Sequence, residues 1–434
     1  MLQNLNKYAV SGLASVALIS ATSTAQTGHV LNGEGPVNQS MAGVSTATPI
    51  DASGTLLWNS AGITQLKTNS IQFGMEMLKP SVELYSSVSS PGVMSDTTKS
   101  DSSVSAIPSF AMVYHVEDTD WTLGMGACGV SGFGVNYPAS STNPLLMPPP
   151  NGFGSIYSEF QMLQLAPTIA YQIDNNWSVG FAPNINQGKL AVDPGCFAPP
   201  NDPDGTFGNG DEVYPSAAHA ATAWGFGGQL GVFYRGDNDW DFGFSYKTEQ
   251  NFEEFEFNST DANGAHRKLK LDLDFPSIIS IGTAYRGFEK WTLGADARYI
   301  LYGSTDGFDA ATFNMDGSVN GFGWDSIWVL ALGAQYEVDD CLTIRGGLAF
   351  NDNPIPDANS TFNVPAPAIL EQHASIGFSY CFGDDWFFDM TYRHGFENSI
   401  SGPMGHPSMG TVPGTEVKNT MSTDSLLIGF RVNF

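Results

Sequence analysis

The sequence predicts an all-β chain: a fourteen-stranded antiparallel β-barrel that crosses a membrane, with an N-terminal plug inside its lumen. Three observations carry this expectation. Along many segments the side chains alternate with period two, apolar on one face and polar on the other. Tyr and Trp recur at matched ends of successive segments. Short polar turns alternate with long loops rich in Pro, Gly, Asn and Ser.

Composition sets the outer bounds. Only 14% of the 434 residues are charged, against roughly 25% in an average soluble domain, while Gly numbers 48 and aromatics reach 12%. The 17 Lys and Arg against 44 Asp and Glu give a net charge of -27. That balance excludes nucleic acid, whose binding rests on clustered positive charge, and it disfavours anionic partners generally.

Residues 1–25 differ from the rest: Lys7 is their one charge, Tyr8 to Ile19 form an apolar stretch, and Ser23-Thr24-Ala25 ends in small residues. This is the pattern of a secretory signal cleaved after Ala25. A membrane helix needs ~20 mainly apolar residues, and no later stretch has that character. Residues 26–68 hold helix-prone pieces near Asn38 to Ala42 and Leu56 to Ile63 and no complete alternating strand. A barrel of this size is wide enough to leak, so the segment is expected to be an internal plug rather than a periplasmic tail.

Residues 69–434 are expected to form the barrel. In Asp424 to Phe434, Leu426, Ile428, Phe430, Val432 and Phe434 share one face and Ser425, Leu427, Gly429, Arg431 and Asn433 lie on the other, mostly polar one. Trp291 to Leu301, Trp240 to Lys247 and Cys341 to Phe350 obey the same rule. The rhythm gives strands near 69–80, 107–116, 120–131, 161–174, 177–190, 223–236, 239–257, 266–285, 290–302, 324–337, 341–350, 372–382, 386–395 and 424–434. A soluble sandwich would alternate in the same way. The aromatics decide against it: Tyr171 and Trp177, Tyr234 and Trp240, Tyr285 and Trp291, and Tyr380 and Trp386 flank polar turns, and Tyr114 and Trp121 do likewise. Both members project from the apolar face, giving a girdle at one rim, as at a membrane boundary. The short-turn side is then periplasmic.

The leader contains Gly33-Glu34-Gly35-Pro36, Gln39-Ser40-Met41-Ala42-Gly43, Asp51-Ala52-Ser53-Gly54 and Trp58-Asn59-Ser60-Ala61-Gly62. Later come Ile107-Pro108-Ser109-Phe110, Ala166-Pro167-Thr168, Phe275-Pro276-Ser277, Leu342-Thr343-Ile344-Arg345-Gly346-Gly347 and Pro354-Ile355-Pro356-Asp357-Ala358-Asn359. In this order the motifs resemble the FadL/TodX family of outer-membrane channels for long-chain fatty acids and other hydrophobic compounds, over essentially the whole mature chain. Ser60 stands where the family pattern has proline. The resemblance implies a hatch-gated barrel that takes hydrophobic ligand from outside, holds it near the hatch's N-terminus and releases it sideways beside a kinked third strand. On that basis Gln26 and His29, at the start of the leader, and Asn59, Ser60 and Ala61 are the expected binding or gating residues. The third strand carries Gly126, Gly129 and Gly132, which weaken a ladder as a lateral opening requires; the same glycines would also let a plug pack closely.

Lysine and arginine on lumenal faces, Lys247, Arg298, Arg345, Arg393 and Arg431, have two open roles. They could hold a ligand carboxylate, or pair with acids such as Asp296 and Asp389 to fix the hatch, and burial costs favour pairing. Cys341 and Cys381 fall at the periplasmic rim as a candidate disulfide, and Cys128 and Cys196 are the second candidate pair. No cofactor or metal is expected, since no Cys-x-x-Cys or His-x-x-x-His spacing occurs. No nucleophile elbow or phosphate loop suggests an enzyme. The expected activity is passive transport of hydrophobic molecules by a monomer embedded in outer-membrane lipid; a cation-preferring porin is the alternative, and a barrel enzyme or adhesin a third.

Overall fold

A computed structural model of the chain describes residues 27–89, 92–204, 212–383, 385–406 and 410–434. The expected signal segment and Gln26 lie outside them. Fourteen antiparallel strands form the wall: β1 Ser70–Val88, β2 Ser105–His115, β3 Trp121–Tyr137, β4 Ile156–Gln172, β5 Trp177–Asp193, β6 Ala217–Arg235, β7 Trp240–Lys247, β8 Ile278–Tyr285, β9 Trp291–Ile300, β10 Ile327–Glu337, β11 Leu342–Asn351, β12 Gln372–Cys381, β13 Trp386–Gly402 and β14 Thr415–Asn433. Each pairs with the next, and β1 pairs along its whole length with β14, from Ser70↔Asn433 to Val88↔Thr415, so the sheet closes. Closure gives every wall strand a partner on both sides, the condition for a sheet to sit in lipid.

The alternation sets the faces. Phe73, Leu123, Phe181, Leu230, Phe242, Phe244, Ile281, Leu330, Leu348, Ile376 and Phe430 point outward and are exposed, whereas Gln72, Glu76, Gln164, Asn186, Gln229, Asp296, Arg298 and Arg393 point inward and are buried. This is a soluble protein's pattern turned inside out, and only an apolar surround makes it favourable. At the short-turn rim the aromatics pair across neighbouring strands: Trp121 with Tyr171, Trp177 with Tyr234, Trp240 with Tyr285 and Trp291 with Tyr336, at ring-centroid separations of 4.7, 4.7, 4.8 and 4.7 Å. Each Trp thus packs, tilted, against the Tyr of the next strand's end rather than the Tyr of its own turn.

The structure corrects the strand bounds. A spanning strand needs ~9–11 residues, yet β1, β6 and β14 have 19 and β3, β4, β5 and β13 have 17, so this side of the barrel stands above the membrane. The expected strands 239–257 and 266–285 each split. Phe255–Thr260 and His266–Leu271 pair with one another as a hairpin in an outer loop, and β8 begins only after Pro276. Alternation announces a strand but not its partner, and proline, with no N–H to donate, ends the ladder. Short segments Met94–Lys99 and Asn251–Phe252 extend the sheet beside β1 and β6.

Inside the wall lies the leader. Thr27 to Thr48 and Asp51 to Ile63 are buried throughout and include helices α1 Gly35–Ser40 and α2 Ala52–Trp58 and the 3-10 turn Ser60–Gln65. Pro36 starts α1, and the Asp51 carboxylate caps α2 by accepting from Gly54 N–H. The wall is glycine-lined where this plug touches it: a Cβ on Gly243 would fall 1.9 Å from Thr46 O, and one on Gly347 would fall 2.4 Å from Met41 C.

Cys341 and Cys381 form a disulfide beside the turns. Cys128 and Cys196 are free, contrary to the second candidate pair. The reason is the length of β3: it runs on to Tyr137, which puts Cys128 inside the lumenal wall, while Cys196 belongs to the loop after β5.

Candidate functional site

The plug is tied to the wall by two charged hubs. Asp296, on β9, accepts from Ser45 N–H at 2.8 Å, from Thr46 N–H at 2.9 Å and from the Thr46 hydroxyl at 2.9 Å, all on the same Oδ2. Arg298 donates to that oxygen at 2.7 Å and to Gly43 O at 2.6 Å, and its guanidinium lies 3.7 Å from the centre of the Trp58 ring of α2. Both side chains are almost wholly buried. At the second hub Arg393 pairs with Glu76 at 2.7 Å, and Gln39 of α1 donates to Glu76 at 2.8 Å and accepts from Arg393. Arg393 therefore pairs across to β1 rather than with Asp389, which lies 3.8 Å from Arg431.

The remaining lumenal cations are also engaged. Arg345 donates to Gln335 and Ser379, each at 2.7 Å, and Lys247 donates to Gln164 at 3.2 Å. Arg298 and Arg393 fasten the plug, whereas Arg345, Lys247 and Arg431 are held by side chains of the wall itself. Asn59 also fastens the plug, by hydrogen bonds: its Nδ2 donates to Thr46 O at 2.7 Å and to Val232 O of β6 at 3.0 Å, and its Oδ1 accepts from Ala61 N–H at 3.1 Å. Ser60 and Ala61 press on the wall, where a Cβ at Gly180 would lie 2.4 Å from Ser60 C. These three residues anchor the plug and line none of its cavities described below.

One part of the wall is incomplete. β2 pairs with β3 only between Ser109↔Cys128 and His115↔Thr122, although β3 continues to Tyr137. Above Cys128 the pairing of β3 with β4 shifts register between Gly129 and Ser131, a bulge at Val130. There the plug's N-terminal segment takes the missing neighbour's place: Leu31 N–H donates to Val130 O at 3.0 Å, Gly132 N–H to His29 O at 3.1 Å and the Ser131 hydroxyl to His29 O at 2.9 Å. Gly129 and Gly132 thus flank the bulge, while Gly126 lies below it against Leu56. Beside the gap, a small cleft is lined by Leu31, Glu34, Glu76, Ile107, Ser109 and Gly129. Glu34 is buried there against the Cys128 thiol, and burial pushes its carboxyl up to about 8. Asp51 is raised in the same way to about 7.

His29 sits in a cage of aromatics: Phe308 at 4.7 Å, Tyr302 at 5.3 Å, Phe275 at 5.5 Å, Trp324 at 5.8 Å and Phe160 at 6.1 Å between ring centroids. It is fully buried, which lowers its pKa to about 3 and keeps the imidazole neutral. The outer loop carrying Tyr302, Phe308, Phe322 and Trp324 has an apolar cavity of about 100 Å³ on its other side, lined by residues including Leu145, Phe153, Phe197, Phe313, Phe322 and Phe362. Phe322 is the partition, packing on Phe308 at 5.6 Å and on Trp324 at 6.0 Å. Sequence reasoning named His29 but missed its cage, since the five rings come from β4 and two distant loops. The one local signal was aromatic density at Phe322-Gly323-Trp324 inside a loop. Among the described residues no cluster of His, Cys, Asp or Glu is arranged to hold a metal ion.

The comparisons with known proteins agree with this architecture. The family model described as outer membrane protein transport protein (OMPP1/FadL/TodX) matches residues 16–434. The long-chain fatty acid transport protein of Escherichia coli K12 is 23% identical over 94% of this chain and 91% of its own length. The alkane uptake protein A of Marinobacter nauticus is 32% identical over 20% of each chain. Among solved structures, the toluene transporter TodX of P. putida superposes with a TM-score of 0.72 at 20% identity, covering 93% of this chain and 99% of that one. A Pseudomonas aeruginosa FadL homologue gives 0.72 at 14% identity, covering 94% and 100%. A closed barrel with an apolar outer belt, a lumen filled by its own N-terminal segment and a wall gap under that segment, matched over nearly its whole length, makes this chain a member of the OMPP1/FadL/TodX family of outer-membrane transport proteins.

Proposed function

We propose that the chain passes small hydrophobic molecules passively, from the outer apolar cavity past Phe322 to the His29 cage and out through the gap between β2 and β3. One observation carries this reading above the others: β2 stops pairing with β3 at Ser109, and above that point β3 is closed by hydrogen bonds to the plug's first residues, two from backbone N–H groups and one from the Ser131 hydroxyl. Moving that short segment opens a path to the lipid without unlocking the charged hubs. Apolar burial at about 25 cal/mol per Å² supplies the affinity, and no energy source is required. The cavity of about 100 Å³ is smaller than the ~150 Å³ dry cavity that holds one benzene, so Phe322 and its neighbours swing aside as a ligand enters. The engaged lumenal cations favour uncharged ligands, monoaromatic hydrocarbons or protonated fatty acids, over carboxylates. A single chain surrounded by outer-membrane lipid suffices, and nothing in the path calls for catalysis.

Locking the segment tests the reading. Val30 and Ser131 are antiparallel bridge partners, so Val30→Cys with Ser131→Cys in a Cys128→Ser, Cys196→Ser background places two thiols within disulfide reach. Uptake of radiolabelled toluene and of oleate by cells should stop on oxidation and return with reductant. Uptake unchanged in fully oxidised protein would rule out this exit.

A further inference from the structure

The polar atoms around His29 favour one tautomer. A tyrosine hydroxyl has one hydrogen to give and two lone pairs to receive. Tyr302 gives its hydrogen to Thr27 O at 3.0 Å and receives the His29 backbone N–H at 3.0 Å. The arrangement that makes all three of these contacts hydrogen bonds has His29 Nδ1, at 2.9 Å, as a second donor to the hydroxyl, and in it Nδ1 carries the proton. Nε2 is left as a bare lone pair, with no hydrogen-bond partner among the described residues, in a fully buried ring surrounded by five aromatic side chains.

A buried acceptor without a donor is a standing cost that a ligand can remove, and a site built to hydrogen-bond a hydroxyl discriminates against analogues that lack one. The imidazole is neutral, so it offers a carboxylate neither a charge nor, at Nε2, a donor. The surroundings supply stacking faces and no second polar group at this atom. Phe322 stands between the cage and the apolar cavity, lining the cavity and packing on Phe308 and Trp324 of the cage.

We propose that His29 Nε2 is a specificity-determining acceptor that selects neutral aromatic molecules carrying a hydroxyl donor, phenols rather than the parent hydrocarbons or fatty carboxylates. The ligand ring stacks among Phe160, Phe308 and Trp324 while its O–H donates to Nε2. This rests on the transport reading given above, and it names the substrate class for the same lumenal site.

The full chain, purified in detergent, would be titrated with two matched pairs by calorimetry and by quenching of tryptophan fluorescence. The pairs are p-cresol against toluene and 1-octanol against octane. p-Cresol should bind roughly five- to tenfold more tightly than toluene, the ratio expected of one neutral hydrogen bond to a buried acceptor. His29→Phe should bring that ratio to one while toluene still binds. Because this variant could unseat the plug, Tyr302→Phe provides a second arm. It frees Nδ1 from its acceptor, lets the proton move to Nε2, and should lower the p-cresol preference, since a ring protonated at Nε2 holds the phenol only through its weaker acceptor oxygen. Spectra of protein labelled with 15N-histidine should show one neutral imidazole protonated at Nδ1 that is missing in His29→Phe. Equal binding of p-cresol and toluene, or a ring protonated at Nε2, overturns the inference and leaves hydrophobic transport standing; Nε2 is then satisfied by water. A greater preference for octanol over octane than for p-cresol over toluene overturns the aromatic class. Binding of none of the four overturns both readings.

Discussion

Asp296→Ala removes the point at which the plug is most firmly held, and its effect can be worked from the contacts. The wild-type carboxylate accepts two backbone N–H groups and one hydroxyl of the plug, as well as Arg298. Hydrogen bonds to a charged group contribute ~1.5–3 kcal/mol each. Because the four share one oxygen they do not add, and breaking a buried pair by deleting one partner typically costs ~3–5 kcal/mol. The seated plug loses that amount relative to the open state, where water reaches Ser45, Thr46 and Arg298 anyway. Cys128 is a native reporter: it is buried behind Glu34 and free. In a Cys196→Ser background, alkylation of Cys128 under native conditions reads the open fraction. At 1.4 kcal/mol per factor of ten, labelling should accelerate by roughly a hundred- to several-thousand-fold. A change of less than about threefold, worth under ~0.7 kcal/mol, would show that Asp296 does not fasten the plug and refute the tether assignment. Asp296→Asn, which keeps an acceptor but not the charge, should fall between the two.

Three further outcomes follow from the same geometry. Gly243→Ala puts a methyl where Thr46 O already lies, 1.9 Å away, so the plug should fail to seat and purified channels should conduct ions in planar bilayers; wild-type conductance would contradict the packing argument. Denatured protein should take two alkyl groups without reductant and four with it, by mass, since Cys341 and Cys381 are bridged while Cys128 and Cys196 are free. Opening should also depend on pH. Glu34 and Asp51 have raised values, about 8 and about 7, so their contribution to seating is complete below the ordinary carboxylate range and is lost as pH rises through those values. His29, lowered to about 3, works the other way: its contribution is present above 6.5 and is lost as pH falls toward 3. Above pH 6.5 the acids govern, and Cys128 labelling, normalised to the unfolded protein, should rise with pH by up to about tenfold per unit for each proton released. Glu34→Gln should flatten that rise, and an unchanged slope would show that Glu34 is not the group.

The chain's own residues determined the barrel, because period two is a local property: Phe430 and Ile428 lie outward and Ser425 and Gly429 inward whatever strand lies beside them. The aromatic rim was legible for the same reason, as was the pairing of Cys341 with Cys381, since short turns fix which strand ends are neighbours. Partner choice was not local. The hairpin of Phe255–Thr260 with His266–Leu271 alternates as well as any wall strand, and only the closed sheet decides that it stands outside. The glycines of β3 marked the gap, but that β2 stops pairing at Ser109 and the plug replaces it is a fact of three-dimensional register. The tether and the cage lay beyond reach for a related reason. Asp296 meets Ser45 and Thr46 across some 250 residues, and His29 meets Tyr302 across 273, so no spacing rule connects them. Alternation tells which side chains enter the lumen; how the leader folds inside it decides which of them meet.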